Sequence, residues 1–429
     1  MLTRRITFRL YPKPVQEAKL FEWRRLHAYL YNSALADRKY SYQKQGESVD
    51  YFDQQNRLPA FKEVWAEYKE LGSHALQATL KRVDFAFVRF FKGLGGYPRF
   101  KSIRNYSGWT YPCTSGWKAH TTGDNGYLKL SNLGQIQMRG KARQWGTPST
   151  CTIVYKHGKW FASITVKCEP VRETGMGAVG IDFGCLTAAA MSDGTMIENP
   201  RFMATTQAKI KKASKQKRRK HSPNFKQKIK ASKRWKKASK KVAKLQRKVA
   251  NQRQDWVHKQ ASEIVSRNRL VATEKLNLKG MTAKAKKGKR KRQKTGLNRS
   301  ILDVGMGMFR KALEYKLIEA GGVFVEVPTQ KVKPSQTCPN CGHQEKKDLS
   351  QRVHQCVQCG CTEDRDIAAA KVMLNWALGL GTSLTNAEPP SSTSDTRSTG
   401  SLRQLGAKKR QKLLAVGEAE TPRSACGGE

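Results

Sequence analysis

Hydrophobic positions alternate at the start of the chain, where Ile6, Phe8 and Leu10 stand against Arg5, Thr7 and Arg9. That period of two predicts a strand over residues 3–10. Pro12 and Pro14 end it, and Leu20, Trp23, Leu30 and Ala34 then follow a helical pattern over 15–42. A second helix is expected over 58–70. Leu76, Leu80, Val83, Phe87 and Phe90 recur at intervals of three and four, one apolar face of a third helix. Gly93, Gly95 and Gly96 stop it. Residues 15–92 therefore read as a helical insertion behind a single strand.

The texture then changes. Short alternating runs predict strands at 127–130, 136–139, 151–155 and 160–167, with His157-Gly158 turning the last two into a hairpin. The N-terminal strand is expected to complete this all-β module. A strand, turn and second strand occupy 177–198. Over 199–254 the apolar residues are sparse (Ile210, Trp235, Val242, Leu245, Val249), as in two long helices joined near Ser222-Pro223. A strand at 269–274, a loop-like stretch at 275–302, a helix at 304–320, a strand at 322–327 and a helix at 366–378 close the pattern. Residues 381–429 turn to Pro, Ser, Thr, Gly and Glu without periodicity and read as a disordered tail.

Charge narrows the partners. The 429 residues hold 82 Lys plus Arg against 33 Asp plus Glu, a formal net charge of +49. A compact body with that charge repels itself, and a polyanion is its natural counterion. No run of apolar residues is long enough to span a bilayer, and the first ten residues lack the apolar core of a secretory signal. Nucleic acid in a cytoplasmic setting, nucleoid-associated when bound to DNA, is the expectation. Residues 199–254 and 275–302 contain no Asp or Glu and are the expected contact surfaces.

Five of the ten cysteines crowd into one stretch. The runs C-P-N-C-G at 338–342 and Q-C-V-Q-C-G at 355–360 each aim two thiolates at one point, so Cys338, Cys341, Cys356 and Cys359 form a tetrahedral Zn²⁺ set. Four thiolates close the shell, which makes the ion structural. Cys361 is a spare, or a ligand if one of the four is displaced. Cys113, Cys151, Cys168, Cys185 and Cys426 are scattered.

Three acids in separate segments form the second constellation. Asp182 ends a strand before Phe183-Gly184, Glu274 ends another, and Asp366 opens the last helix as its expected cap. An RNase H-like sheet brings such points together, where carboxylates hold Mg²⁺ for phosphodiester hydrolysis. Asp193, Asp255, Asp303 and Asp364 are alternatives on the same logic.

Five stretches carry a resemblance to a known family. They are R-L-Y-P at 9–12, G-Y-P-R-F at 96–100, G-I-D-F-G at 180–184, T-E-K-L at 273–276, and the cysteine-containing region from 334 to D-R-D-I-A-A-A, which ends at 370. N-Q-R-Q-D-W-V-H-K at 251–259 adds a sixth. Together they resemble TnpB (OrfB), the insertion-sequence-encoded ancestors of type V CRISPR nucleases, over residues 3–378. The resemblance implies a mixed α/β, bilobed protein. A β-barrel wedge domain would take 1–14 and 93–172, a helical recognition domain 15–92, an RNase H-like RuvC domain 173–333 and 363–380, and a zinc-ribbon insertion 334–362.

It further implies an RNA-guided DNA endonuclease with Asp182, Glu274 and Asp366 as catalytic ligands of two Mg²⁺ ions. Its partners would be a guide RNA from the transposon end and target double-stranded DNA. In A-L-Q-A-T-L-K at 75–81, Gln77 and Lys81 are the candidates for reading the motif beside the target. A Tyr/His-type transposase needs a His-x-His pair, which the eight histidines do not supply. A compact type V CRISPR effector, a nuclease-dead RNA-guided repressor and a transposase accessory protein are the other readings.

Overall fold

The computed structural model describes residues 2–380 except 225–226, 285–287, 289 and 349. The expected tail at 381–429 lies outside the described residues. The chain opens with β1 (Leu2–Tyr11) and the 32-residue α1 (Pro14–Gln45), which starts on Pro14 and stops where Gly46 turns left-handed at φ 71°. Next come α2 (Tyr51–Asn56), α3 (Leu58–Val64) and α4 (Ser73–Phe91). The single helix expected over 58–70 is broken at Trp65, after which Ala66–Glu70 winds as a 3₁₀ turn.

Six strands follow: β2 (Gly108–Tyr111), β3 (Trp117–His120), β4 (Gly126–Leu130), β5 (Gly134–Arg139), β6 (Thr147–Lys156) and β7 (Lys159–Cys168). With β1 they form one antiparallel sheet in the order β2-β6-β7-β1-β5-β4-β3. The N-terminal strand does complete the module, from its centre. β1 pairs along its length with β7 but with β5 only at Arg9–Tyr11.

The sheet is not the expected closed barrel. Among the described residues no ladder joins the edges β2 and β3, which are four residues long each. α1 and α4 lie against β2, and its Tyr111 ring packs beside Gly116 ahead of β3. The edges meet through a side chain and share no backbone hydrogen bonds. Trp23 of α1, Trp109 of β2 and Trp160 of β7 anchor the common core, each edge-to-face with the next.

The second half is built on β8 (Gly177–Asp182), β9 (Thr187–Met191) and β10 (Met196–Glu198). The acid-free stretch folds as α5 (Phe202–Arg218) and the first part of α6 (Lys233–Arg267), which pack together and over 199–254 are buried only at Ala213, Val242 and Val249. β11 (Asn268–Glu274), α7 (Leu278–Met281) and α8 (Lys291–Val304) come next. α8 corrects the loop expected at 275–302. Its helix forms because Ile301 and Val304 bury against the core and Gly305 caps the end at φ 77°.

α9 (Met306–Glu319), β12 (Val323–Val327), α10 (Thr329–Val332), the small ladder β13 (Val353–Gln355) and β14 (Thr362–Asp364), and α11 (Arg365–Ala377) complete the chain. The five strands order as β10-β9-β8-β11-β12. β8 and β9 run antiparallel, whereas β8, β11 and β12 run parallel. α6 and α9 cover one face through Val257, Ile264, Phe309 and Leu313. α11 lies on β8 and β11 and contributes Val372 and Met373 to a smaller core with Ala272 and Val327. Among the described residues no helix is long and apolar enough to cross a membrane.

Candidate active site and cysteine cluster

Parallel pairing places the first two acids side by side. Ile181 pairs with Thr273 at the end of the β8–β11 ladder, so Asp182 and Glu274 follow one residue beyond it on adjacent strands. The third acid arrives on α11, and two features of sequence permit that helix to come close. Ala368, Ala369 and Ala370 present no bulk and are all buried. Gly180 accepts the helix backbone directly, since a Cβ there would lie 1.8 Å from the Ala370 carbonyl oxygen.

The expected cap is corrected within the D-R-D triplet. Asp364 is the N-cap, and its Oδ1 accepts from the backbone N–H groups of Asp366 at 2.8 Å and Ile367 at 3.2 Å. That leaves the Asp366 carboxylate free to face the strands. The remaining alternatives are occupied as well. Asp303 holds Arg253 at 2.5 Å, Asp255 holds Lys259 at 2.9 Å, and Asp193 accepts from Thr195 N–H.

Asp182, Glu274 and Asp366 are half-buried, and the Glu274 and Asp366 carboxylates lie near enough to act electrostatically on Asp182. Burial, reinforced by the Glu274 and Asp366 carboxylates, holds the Asp182 carboxyl up to about 8. Burial also raises Glu274. The Phe183 N–H and the Arg365 guanidinium act the other way on Asp182. Among the described residues no Lys or Arg forms an ion pair with any of the three. Neighbouring carboxylates without an ion-pair partner are oxygen donors of the kind a hard divalent cation takes.

Arg365 was not singled out from sequence, although D-R-D displays it. Its Nη1 donates to the Asp348 and Gln351 carbonyls at 3.0 and 3.1 Å, which ties the start of α11 to the cysteine region. Gln77 and Lys81 lie one turn apart on α4. Lys81 is already engaged, with Nζ 2.9 Å from Asp84 and 4.3 Å over the Tyr51 ring.

The four predicted cysteines converge. Cys338 and Cys359 Sγ are 3.6 Å apart, Cys341 and Cys356 3.5 Å, and all four sulfurs lie within 4.8 Å of one another. A tetrahedral ion with metal–sulfur bonds of about 2.3 Å needs sulfurs about 3.8 Å apart, so the set fits Zn²⁺. Each knuckle is closed by its backbone. Gly342 N–H donates to Cys338 O and Gly360 N–H to Cys356 O, with both glycines at positive φ (73° and 71°). The Cys359 and Gln358 N–H groups directed at Cys356 hold its thiol down to about 6, while desolvation and the three neighbouring thiols push Cys341 up to about 12.

Residues 161–285, which contain Asp182 and Glu274, match the OrfB_IS605 family model, described as "Probable transposase". Residues 307–373, which contain the cysteines and Asp366, match "Cas12f1-like, TNB domain". Residues 1–47 match the "Helix-turn-helix domain" of the same insertion-sequence family, although here they form one strand and one unbroken helix.

Two curated relatives span nearly the whole chain. "Putative RNA-guided DNA endonuclease InsQ" of Escherichia coli (strain K12) is 30% identical over 86% of this chain and 90% of its own. "Putative RNA-guided DNA endonuclease" of Streptomyces pristinaespiralis is 30% identical over 89% and 90%. Among solved structures, "Structure of the mini-RNA-guided endonuclease CRISPR-Cas_phi3" aligns at 10% identity, with a TM-score of 0.49 over 91% of this chain and 94% of that one. The motifs, the order in which they fall along the chain and the full-length relatives place it in the TnpB (OrfB) family.

Proposed function

We propose that the chain is an RNA-guided DNA endonuclease of the TnpB type, hydrolysing DNA at Asp182, Glu274 and Asp366 once a guide RNA has paired with its target beside a short DNA motif. The observation that carries this is that Asp182 and Glu274 end adjacent parallel strands of a mixed five-stranded sheet, with Asp366 of α11 acting electrostatically on Asp182 and none of the three in an ion pair. The strand order and directions support an RNase H-like reading of that sheet. The relatives' names support the substrate class.

Each side chain has a positioning task. β8 and β11 present Asp182 and Glu274 from rigid neighbouring strands, and the Phe183 N–H orients Asp182. The Asp364 cap fixes the first turn of α11 and so aims Asp366. Two Mg²⁺ ions held there would activate water and stabilise the leaving oxygen of the phosphodiester. Cys338, Cys341, Cys356 and Cys359 hold Zn²⁺ as a structural staple beside the start of α11. The basic α5–α6 pair and the 275–302 segment face the guide–target heteroduplex, whose backbone and A-form shape need charge and not sequence readout.

In the same reading, 1–14 with 93–172 is the wedge domain, 15–92 the recognition domain, and 173–333 with 363–380 the nuclease domain interrupted by the zinc ribbon at 334–362. Gln77 and Lys81 meet the target-adjacent motif. The guide RNA derives from the transposon end. The test is Asp182→Ala, which abolishes Mg²⁺-dependent cleavage of a guide-matched duplex while RNA-guided binding stays within a few-fold of wild type. Cleavage that survives in this variant rejects the site. Sequencing the RNA that co-purifies with the chain identifies the guide.

A further inference from the structure

Beside the four-thiolate cluster lies a second group of donors. Cys361 Sγ, a ring nitrogen of His354 and Cys338 Sγ all fall within 4.8 Å of one another. Cys338 belongs to both groups. His354 projects from β13 with only 3% of its surface exposed, and its Nε2 is buried without a hydrogen-bond partner. A buried imidazole with one nitrogen unbonded, in reach of two sulfurs, is an incomplete coordination shell.

The geometry points to a second Zn²⁺-class ion bound by Cys361 and His354 and bridged to the first through the Cys338 thiolate. Four thiolates around one Zn²⁺ carry a formal charge of about −2, and a shared sulfur retains lone pairs for another borderline-soft cation. Solvent or Glu363 takes the fourth position. Glu363 pairs with His354 across the β13–β14 ladder, and its side chain is now held by Lys371. One side chain opposes the site. Lys347 Nζ meets His354 Nδ1, and an ammonium donor there leaves the ring proton on Nε2. Lys347 must swing away before either nitrogen ligates.

This proposal goes beyond the nuclease reading and does not depend on it. The full-length chain is saturated with Zn²⁺ in excess Mg²⁺, desalted and analysed for metal. Wild type should retain two equivalents, whereas Cys361→Ser and His354→Ala should each retain one without losing the melting temperature of the one-zinc form. Lys347→Ala should bind the second equivalent about tenfold more tightly. With Co²⁺ in place of Zn²⁺, spin coupling through a bridging sulfur should suppress the paramagnetic resonance signal as the second equivalent binds. Saturation of wild type at one equivalent overturns the proposal, as does a second equivalent that survives both variants. No zinc in any form removes the four-thiolate site along with it.

Discussion

Asp182 carries the clearest electrostatic signature in the molecule, and its sign can be followed through pH. Burial and two neighbouring carboxylates hold its carboxyl near 8 in the folded chain, against about 3.9 for an unperturbed Asp. Between those values the folded state binds a proton that the unfolded state has released, so stability falls as pH rises through the window. Above it the full cost of an ionised, crowded carboxylate is present. Asp182→Asn deletes that cost. In metal-free protein the melting temperature of the variant should therefore gain on wild type from about pH 5 to about pH 8.5. Mg²⁺ should narrow the gap by stabilising the ionised wild-type site. A difference that stays constant with pH shows that Asp182 is not destabilised by its neighbours.

At the scale of elements, the approach of α11 to β8 is what would assemble the proposed site, and Gly180 controls it. A methyl group there meets the Ala370 carbonyl at 1.8 Å, backbone against backbone, so the helix has to shift. Gly180→Ala should cost about 3 kcal/mol in urea unfolding, as overpacked interiors do, and should lose cleavage by displacing Asp366. Gly296 in α8 is the contrast, because a Cβ there meets nothing within 4 Å. Gly296→Ala should gain up to about 1 kcal/mol from helix propensity. Equal effects at the two positions would show that α11 is not tightly seated.

These elements also show why parts of the fold were legible and others were not. β7 alternates and α4 repeats at three and four because each buries one face, and the cysteine pairs declare themselves through local spacing. β2 and β3 are four residues long and give no period to read. α8 is nearly all polar, with a glycine inside, and owes its helix to tertiary burial of Ile301 and Val304. The three acids could be picked from their motifs. Which Asp of D-R-D caps the helix is decided by packing, since either spacing suits a cap.

Across the whole molecule the excess of positive charge sets the terms. Nucleic-acid affinity should fall by about 10³-fold or more between roughly 50 and 200 mM salt if six or more phosphates are neutralised, which filter binding measures directly. The same excess presses on the seam between the two sheets. There Glu319 is buried between Arg4 of β1 and Arg172, whose Nε is 3.7 Å away. One turn earlier on α9, burial and the nearby Arg143 guanidinium hold the Lys316 ammonium down to about 8. Glu319 is the carboxylate that lets Arg4 and Arg172 share one buried junction. Removing it leaves two largely buried guanidinium groups facing each other with no counter-charge, a loss of about 3 kcal/mol for Glu319→Ala. Part of that loss is repulsion between cations, so added salt should return some stability to the variant while changing wild type less. Because Arg4 lies on the first sheet and Glu319 on a helix of the second, the variant should expose the seam to proteolysis before either sheet unfolds. If its unfolding midpoint matches wild type at low salt, the junction is held by packing alone and Glu319 is only a passenger.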